Sequence, residues 1–402
     1  MEKNTDNLAK LIAEDMGKPI TQAKIEPGKA AFHCKYFADN LEKLLTNTPL
    51  FVPPARAYII YEPIGPLYLI MPWNFPVWLP LKAAIPSLAL GNTIILKPAP
   101  NVARSTLKLL ELIIEAGFKN GEFQVLFANE ESTEEILKDS RIAGVSLTGS
   151  VKTGQIIGKL AGENLKRLCL ELGGSDPFLV LENADLAKAS KMAAQGRLLN
   201  AGQVCVASKR FIIHEKVYDD FVQNLIKEVA AFKMGNPLDP SVSLGPLARK
   251  DILDTLKEQL KLTIRMGAKV IYGDKKQISE PKSLNGNFFN PVILDSIPLN
   301  SPAAREEIFG PAFTLFKVKS DEEAVNLAND TQFGLGSSVW SKDISKATKV
   351  AEKIQAGMVF VNDMVRVDSR LPFGGHKKSG FGKECWDTGF KQFALEKTMI
   401  IN

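Results

Sequence analysis

The chain has 402 residues, 45% hydrophobic and 24% charged, with a net charge of +5 dispersed along its length. That is the make-up of a soluble globular protein with room for two or three domains. Charge this mild and intermixed gives no footing for nucleic acid or an anionic membrane as a partner. The four cysteines, Cys34, Cys169, Cys205 and Cys385, form no Cys-x-x-Cys pair and no disulfide framework. With only three histidines, His33, His214 and His376, no metal-ligand spacing arises and no metal is expected. The charged start "MEKNTDNLAKLIAEDMGK" has no apolar signal core, and no run of ~18 uncharged apolar residues follows. A cytoplasmic setting is expected.

In chain order, Leu8, Leu11, Ile12 and Met16 share a helical face that stops at Gly17, and Lys29 to Leu45 reads as a second helix. "RAYIIYEP" and the wholly apolar "GPLYLIMPW" read as strands. Strands and helices then alternate. "NTIILKPAP" precedes a helix over Ser105 to Ala116. "FQVLFA" precedes "STEEILKD", with a capping box at Ser132 and Glu135. "IAGVSLTG" runs into the helix "SVKTGQIIGKLAG", and "RLCLELGG" is the next strand. Past Gly174 come the strand "DPFLVL", a helix to Leu199, the strand "RFIIHE" and a helix over Val217 to Phe232. A Gly/Pro-rich loop follows, then a helix over Lys250 to Met266 and the strand "AKVIYG". "GNFFNPVIL", "AFTLFKV", "GSSVWS" and "GMVFVN" are further strands, with helices over Glu322 to Asn329 and Ile344 to Gln355. Apolar strands alternating with helices imply parallel sheets covered on both faces, in two α/β units meeting near Gly173.

Four places carry possible chemistry. In "NAGQVCVASKR", Cys205 sits among small residues with Lys209 and Arg210 close behind. It reads either as a small core residue or as a thiolate near a helix start, favoured by those two cations. If it needs a base, the scarcity of histidine points to a carboxylate. Glu171 stands inside the apolar strand "LELGG", where burial would raise its pKa toward that of a general base; a buried ion pair with a lysine is the alternative. Asn74 in "MPWNFP" is an amide braced by Trp73 and two prolines, a donor for a developing oxyanion or a turn asparagine. Gly149 and Ser150 in "LTGSVKTG" open a helix, which binds a phosphate or is simply capped. Neither a phosphate loop nor a Gly-x-Gly-x-x-Gly fingerprint is present.

Taken together, "MPWNFP", "ILKPA", "LTGS", "LELGG", "NAGQVC", "EEIFGP" and "PFGGHKKSGFGKE" stand in the order found in the aldehyde dehydrogenase superfamily. The chain resembles that family over nearly its whole length, and most of all its shorter bacterial succinate-semialdehyde members. The resemblance implies a Rossmann-like NAD(P)-binding domain at 1–49 and 65–172. It implies a catalytic α/β domain at 173–390 and a small β flap at 50–64 and 391–402 that joins copies into a homodimer or homotetramer. It places the nucleophile on Cys205, the base on Glu171, the oxyanion donor on Asn74 and a proton relay on Glu384. NAD or NADP would meet Met71, Pro72, Trp73, Lys97, Gly149, Ser150, Leu172, Gly173, Glu307 and Phe309. The implied reaction oxidises an aldehyde, succinate semialdehyde first among candidates, through a cysteine thiohemiacetal and a thioester. Gly202 and Ala207 are expected to leave room for cofactor and acyl group.

Three departures bear on that expectation. Relatives carry some tens of residues ahead of the point where this chain begins, so a truncated, inactive binding or structural protein is a rival reading. Pro100 replaces a glutamate that grips the ribose hydroxyls in NAD-preferring relatives, which implies use of both NAD and NADP. Lys82 stands where an arginine often holds the substrate carboxylate; it keeps the charge without the bidentate fork. Arg366 and Arg370 are further cationic candidates. A broad-range aliphatic aldehyde dehydrogenase is the other enzymatic reading.

Overall fold

The protein's structure, a computed structural model, describes residues 1–273 and 284–402. Its first sheet has six strands in the order Gly380–Phe381, Arg167–Glu171, Gly144–Thr148, Pro66–Met71, Thr93–Pro98, Phe123–Val125. All neighbours are parallel except Gly380–Phe381, which pairs antiparallel with Arg167–Glu171. Burial on both faces explains the continuous apolar runs: every residue of Gly144–Thr148 is buried. Pro66–Met71 pairs with Thr93–Pro98 on one side and Gly144–Thr148 on the other. Chain order reverses there, and in such sheets ligands settle in the crevice beyond the carboxyl ends of the strands.

The second sheet has seven strands: Lys269–Tyr272, Val292–Asp295, Ala312–Val318, Ser208–His214, Asp176–Val180, Gly336–Trp340, Met358–Val361. Only Lys269–Tyr272 runs antiparallel to its neighbour. Phe178 organises its core, with ring centroids 5.3 Å from both Phe211 and Trp340. Aromatic pairs at that spacing contribute about 0.5–1.5 kcal/mol beyond their area. A third, antiparallel sheet joins Thr48–Val52, Ala55–Pro63 and Ala394–Ile401.

Several elements differ from the sequence reading. The helix Trp78–Leu90 had no assignment there; it is apolar nearly all round and contains Pro86, so no polar face marks its period. The helix Glu130–Lys138 is capped by Asn129, whose side chain accepts from the Ser132 N–H, not by Ser132 itself. The strand expected from Gly286 begins only at Val292. The helix expected from Lys29 begins at Ile25, since Pro27 falls in the first turn, where no N–H is needed. Within the span expected for the catalytic unit, which runs to residue 390, the chain already returns to the first sheet. Gly380–Phe381 joins the first sheet, and the helix Trp386–Lys391 sets Phe390 against Phe37 and Leu90.

The N-terminal helices are tied to the loop carrying Asn74 by a buried charge. Lys18 Nζ lies 2.7 Å from Glu26 Oε2, with both side chains 1% exposed. Glu26 Oε1 accepts the backbone N–H groups of Val77 and Trp78 at 2.8 and 2.9 Å. Removing one partner of such a pair strands the other, at roughly 3–5 kcal/mol. We therefore expect Glu26→Ala to lower the midpoint of denaturant unfolding by about that free energy. The double variant Lys18→Met/Glu26→Ala should recover part of the loss; an unshifted single-variant midpoint would contradict the role given to the pair.

Candidate active site

Cys205 follows a tight turn, Leu199–Gly202, and precedes the fully buried strand Ser208–His214. Asn200, Ala201 and Gly202 hold φ of 50°, 54° and 76°. Left-handed backbone costs a non-glycine residue roughly 1–2 kcal/mol, so neighbours must over-determine it. Gln22 Oε1 accepts the Asn200 N–H at 2.8 Å, and Asn200 Nδ2 donates to the Asn74 carbonyl at 3.2 Å. Gln203 Nε2 donates to the Asn200 carbonyl at 3.0 Å while its Oε1 accepts the Ala248 N–H at 2.9 Å. A Cβ on Gly202 would stand 2.3 Å from the Gly310 carbonyl oxygen. The missing side chain at 202 thus serves the backbone of "EEIFGP", not the room for cofactor or acyl group expected of it. Ala207 does line the cavity.

That cavity, of about 280 Å³, brings Cys205 together with Asn74, Lys82 and an apolar wall that includes Trp78, Phe178 and Phe373. Asn74 is 6% exposed, and its Nδ2 donates to the Gln203 carbonyl at 3.0 Å. One hydrogen bond leaves the amide's second N–H for another acceptor. Burial pushes the Cys205 thiol up to about 11, against the opposing pull of Lys209 and Lys82. The expected helix start at Cys205 is absent, so no helix dipole helps. Of the two expected cations, only Lys209 attends the loop: its Nζ donates to the Val204 and Cys205 carbonyls at 3.0 and 2.5 Å. Arg210 turns away to the carbonyls of Ser175, Leu327 and Ala328.

Glu171 ends its strand, 3% exposed. Burial, reinforced by Glu384, pushes its carboxyl up to about 8, although Lys82 and Lys383 oppose the shift. Gly374 passes so close that a Cβ there would lie 2.9 Å from Glu171 Oε1. Among the described residues Glu171 is not part of the cavity wall. Glu384, 4% exposed, pairs with Lys82 at 2.5 Å. Lys82 is itself 1% exposed, and its Nζ sits 4.1 Å from the centre of the Phe373 ring. Burial works against the lysine's charge, but Glu384 and Glu171 outweigh it and hold Lys82 above its ordinary value. The sequence reading gave Lys82 to a substrate carboxylate; the structure has it answering an internal one. Arg366 lines the cavity in contact with Asp363, whereas Arg370 pairs with Asp368 at 2.7 Å and is not in the wall.

The other expected residues gather at the switch point of the first sheet. Met71 ends the central strand, and Pro72 and Trp73 follow it. The Trp73 ring meets Phe309 edge-on, with centroids 6.0 Å apart. Lys97 lies near the end of the adjacent strand, its pKa lowered by burial with partial relief from Glu130. Ser150 caps the helix Val151–Glu163, its Oγ accepting the Thr153 N–H at 3.1 Å. The Gly149 N–H donates to the Glu171 carbonyl at 3.0 Å, linking this turn to the base strand. Leu172 packs on Gly154, and a Cβ on Gly173 would fall 2.3 Å from Glu307 Oε2. Glu307 also accepts the Gly174 N–H at 3.1 Å and lies 3.5 Å from Lys209 Nζ. A switch in strand order, a helix N-terminus, a half-buried lysine and an aromatic pair are features that suit a dinucleotide.

Sequence reasoning passed over the N-terminal contribution. Gln22, Glu26 and Lys29 line the same cavity as Cys205. His33, fully buried, sets Nε2 3.2 Å from the Lys82 carbonyl and Nδ1 2.8 Å from Ser369 Oγ. No local motif marks these residues, because their roles arise from packing across the fold. Among the described residues no cluster of three metal-ligating side chains occurs, and no helix is long and apolar enough to cross a membrane.

The model of the aldehyde dehydrogenase family matches residues 1–399. A succinate semialdehyde dehydrogenase [NAD(P)+] of Escherichia coli is 40% identical over 399 residues, 99% of this chain and 85% of that protein. A succinate-semialdehyde dehydrogenase [NADP(+)] of Mycobacterium avium is 40% identical over 404 residues, covering 100% and 84%. Among solved structures, the succinic semialdehyde dehydrogenase of Streptococcus pyogenes in complex with NADP+ superposes with a TM-score of 0.96. It shares 38% identity over 99% of this chain and 87% of that one. Matched by the family model over residues 1–399 and 40% identical to these relatives over nearly its whole length, this chain belongs to the aldehyde dehydrogenase family.

Proposed function

We propose that the protein oxidises succinate semialdehyde to succinate with NAD+ or NADP+. The observation that carries the reading is the meeting of Cys205 and the Asn74 amide in one cavity. Cys205 attacks the aldehyde carbon once its proton has left, a step that Lys209 and Lys82 favour and burial resists. Asn74 Nδ2 and the Cys205 backbone N–H receive the oxyanion. A bound nicotinamide would supply the hydride acceptor for the oxidation. Trp73, Phe309 and Glu307 would hold that ring and its ribose, Lys97 the adenosine ribose, and Gly149 and Ser150 the pyrophosphate beside Leu172 and Gly173. Glu171 then takes a proton from the water that cleaves the thioester, and Glu384 with Lys82 forms the buried charge that sets its basicity.

Pro100, at the start of the turn after Lys97, neither grips nor repels at the ribose hydroxyls, which supports use of both cofactors. The strongly exposed Phe51 and Ile400, on the two edge strands of the third sheet, support strand addition between copies in a homodimer or homotetramer. Four free cysteines accord with a cytoplasmic setting. The apolar cavity wall favours a second reading, a broad-range aliphatic aldehyde dehydrogenase.

Kinetics with succinate semialdehyde and butanal, each with NAD+ and NADP+, test the substrate and cofactor reading directly. We expect a clear preference for the charged aldehyde and less than about a thousandfold between cofactors. Cys205→Ser should abolish turnover, and Asn74→Ala should lower kcat by about 10²–10³. Only ionised Glu171 accepts a proton, so kcat should climb as pH rises through about 8. That limb should vanish in Glu171→Gln; a flat profile in the parent protein would remove Glu171 as the base. Lys82→Met leaves Glu384 buried without its cation. It should therefore depress kcat on charged and uncharged aldehydes alike, whereas a KM rise confined to succinate semialdehyde would return Lys82 to the substrate.

A further inference from the structure

The cavity around Cys205 is lined by three cations and one anion whose partners differ. Lys82 answers Glu384 at 2.5 Å. Arg366 is in contact with Asp363. Glu26 is taken up by Lys18 at 2.7 Å and by two backbone N–H groups. Lys29 is the exception: among the described residues no carboxylate lies within ion-pair distance of it, and its Nζ rests 4.5 Å from the centre of the Trp78 ring. Burial, with Lys82 adding to it, pulls Lys29 down to about 8, while the Cys205 side chain is close enough to act in the opposite sense. An ammonium set over an aromatic face in a desolvated pocket keeps an unmet demand for an anion, which cation–π attraction meets only in part.

We propose that Lys29 is the specificity-determining group that receives the distal carboxylate of a short ω-carboxylated aldehyde whose carbonyl lies between Cys205 and Asn74. The inference rests on the substrate reading above and moves the carboxylate from Lys82 to Lys29. Trp78 holds the ammonium in place when the pocket is empty of substrate, and its face, with Phe373, covers the methylenes between the two polar ends. Lys29 lies on the helix Ile25–Leu45, one turn after Glu26. Glu26 anchors that turn to the Val77 and Trp78 N–H groups, so the lysine and its aromatic support are set by the same buried pair.

The test compares kcat/KM for succinate semialdehyde and butanal in the parent protein, Lys29→Met and Lys29→Arg. It adds protection of Cys205 from iodoacetamide by succinate, which needs no turnover. We expect the charged-to-neutral ratio to fall about tenfold or more in Lys29→Met, mainly through KM, and to be largely restored in Lys29→Arg. Succinate should slow alkylation of the parent and of Lys29→Arg but not of Lys29→Met. An unchanged ratio in Lys29→Met, with the parent still preferring succinate semialdehyde, overturns the inference and leaves the substrate reading standing. A parent with no preference overturns the substrate reading instead. The anion site at Lys29 is then decided by protection alone: its loss in Lys29→Met supports the site, and equal protection of parent and variant overturns it.

Discussion

The site depends on one strained turn. Asn200, Ala201 and Gly202 are left-handed in succession, and the conformation survives because groups from four parts of the chain hold it. Gln22 comes from the N-terminal helices, Asn74 from the loop after the central strand, Gln203 from the turn itself, and Gly310 from the "EEIFGP" segment. Strain of this kind persists only where surroundings over-determine it, and it tends to mark functional geometry. Here it delivers Cys205 to the cavity and at the same time orients the Asn74 amide through the Gln203 carbonyl. Cys205 and Asn74 are therefore set by one clamp, not by two independent rotamer choices.

Charge is arranged around this clamp with similar economy. Glu171 and Glu384 are like charges in a buried setting, and Lys82 between them is held above its ordinary value by both. A buried carboxylate facing a second one is driven toward its neutral form, and a shared cation limits the effect. The result is a Glu171 pushed up to about 8, a more effective proton acceptor than an exposed carboxylate. Lys82 serves this balance. Lys29, on an element distant in sequence, lines the same cavity with its Nζ over the Trp78 ring.

Much of the candidate site was legible because seven motifs stand in one family's order, whereas each residue type alone left two readings open. A cysteine among small residues, a glutamate in an apolar strand and an amide braced by prolines each violate the usual rule for their setting. Alternating apolar runs likewise gave the two parallel sheets, since a strand covered on both faces has no polar side to interrupt it. The helix Trp78–Leu90 escaped for the converse reason: it is buried nearly all round, so hydrophobic period carries no signal, and Pro86 reads as a breaker. Lys82 was expected at the substrate carboxylate because relatives often hold an arginine at that place, and sequence alone does not show which acid answers the charge. Glu384, which answers that charge, is supplied by a chain segment that returns from the second unit.

The sequence by itself determined the family and the order of most strands and helices, and it singled out Cys205, Asn74 and Glu171 as candidates for nucleophile, amide donor and base. The elements follow from residue type and local spacing and the candidate roles from the ordered motifs, all of which the linear chain contains. Only the tertiary structure decided which cations are spent on internal carboxylates, why Gly202 must lack a side chain, and which N-terminal residues wall the cavity. Those are questions of which groups meet across long stretches of chain, and in a desolvated interior a charge takes its function from its partner.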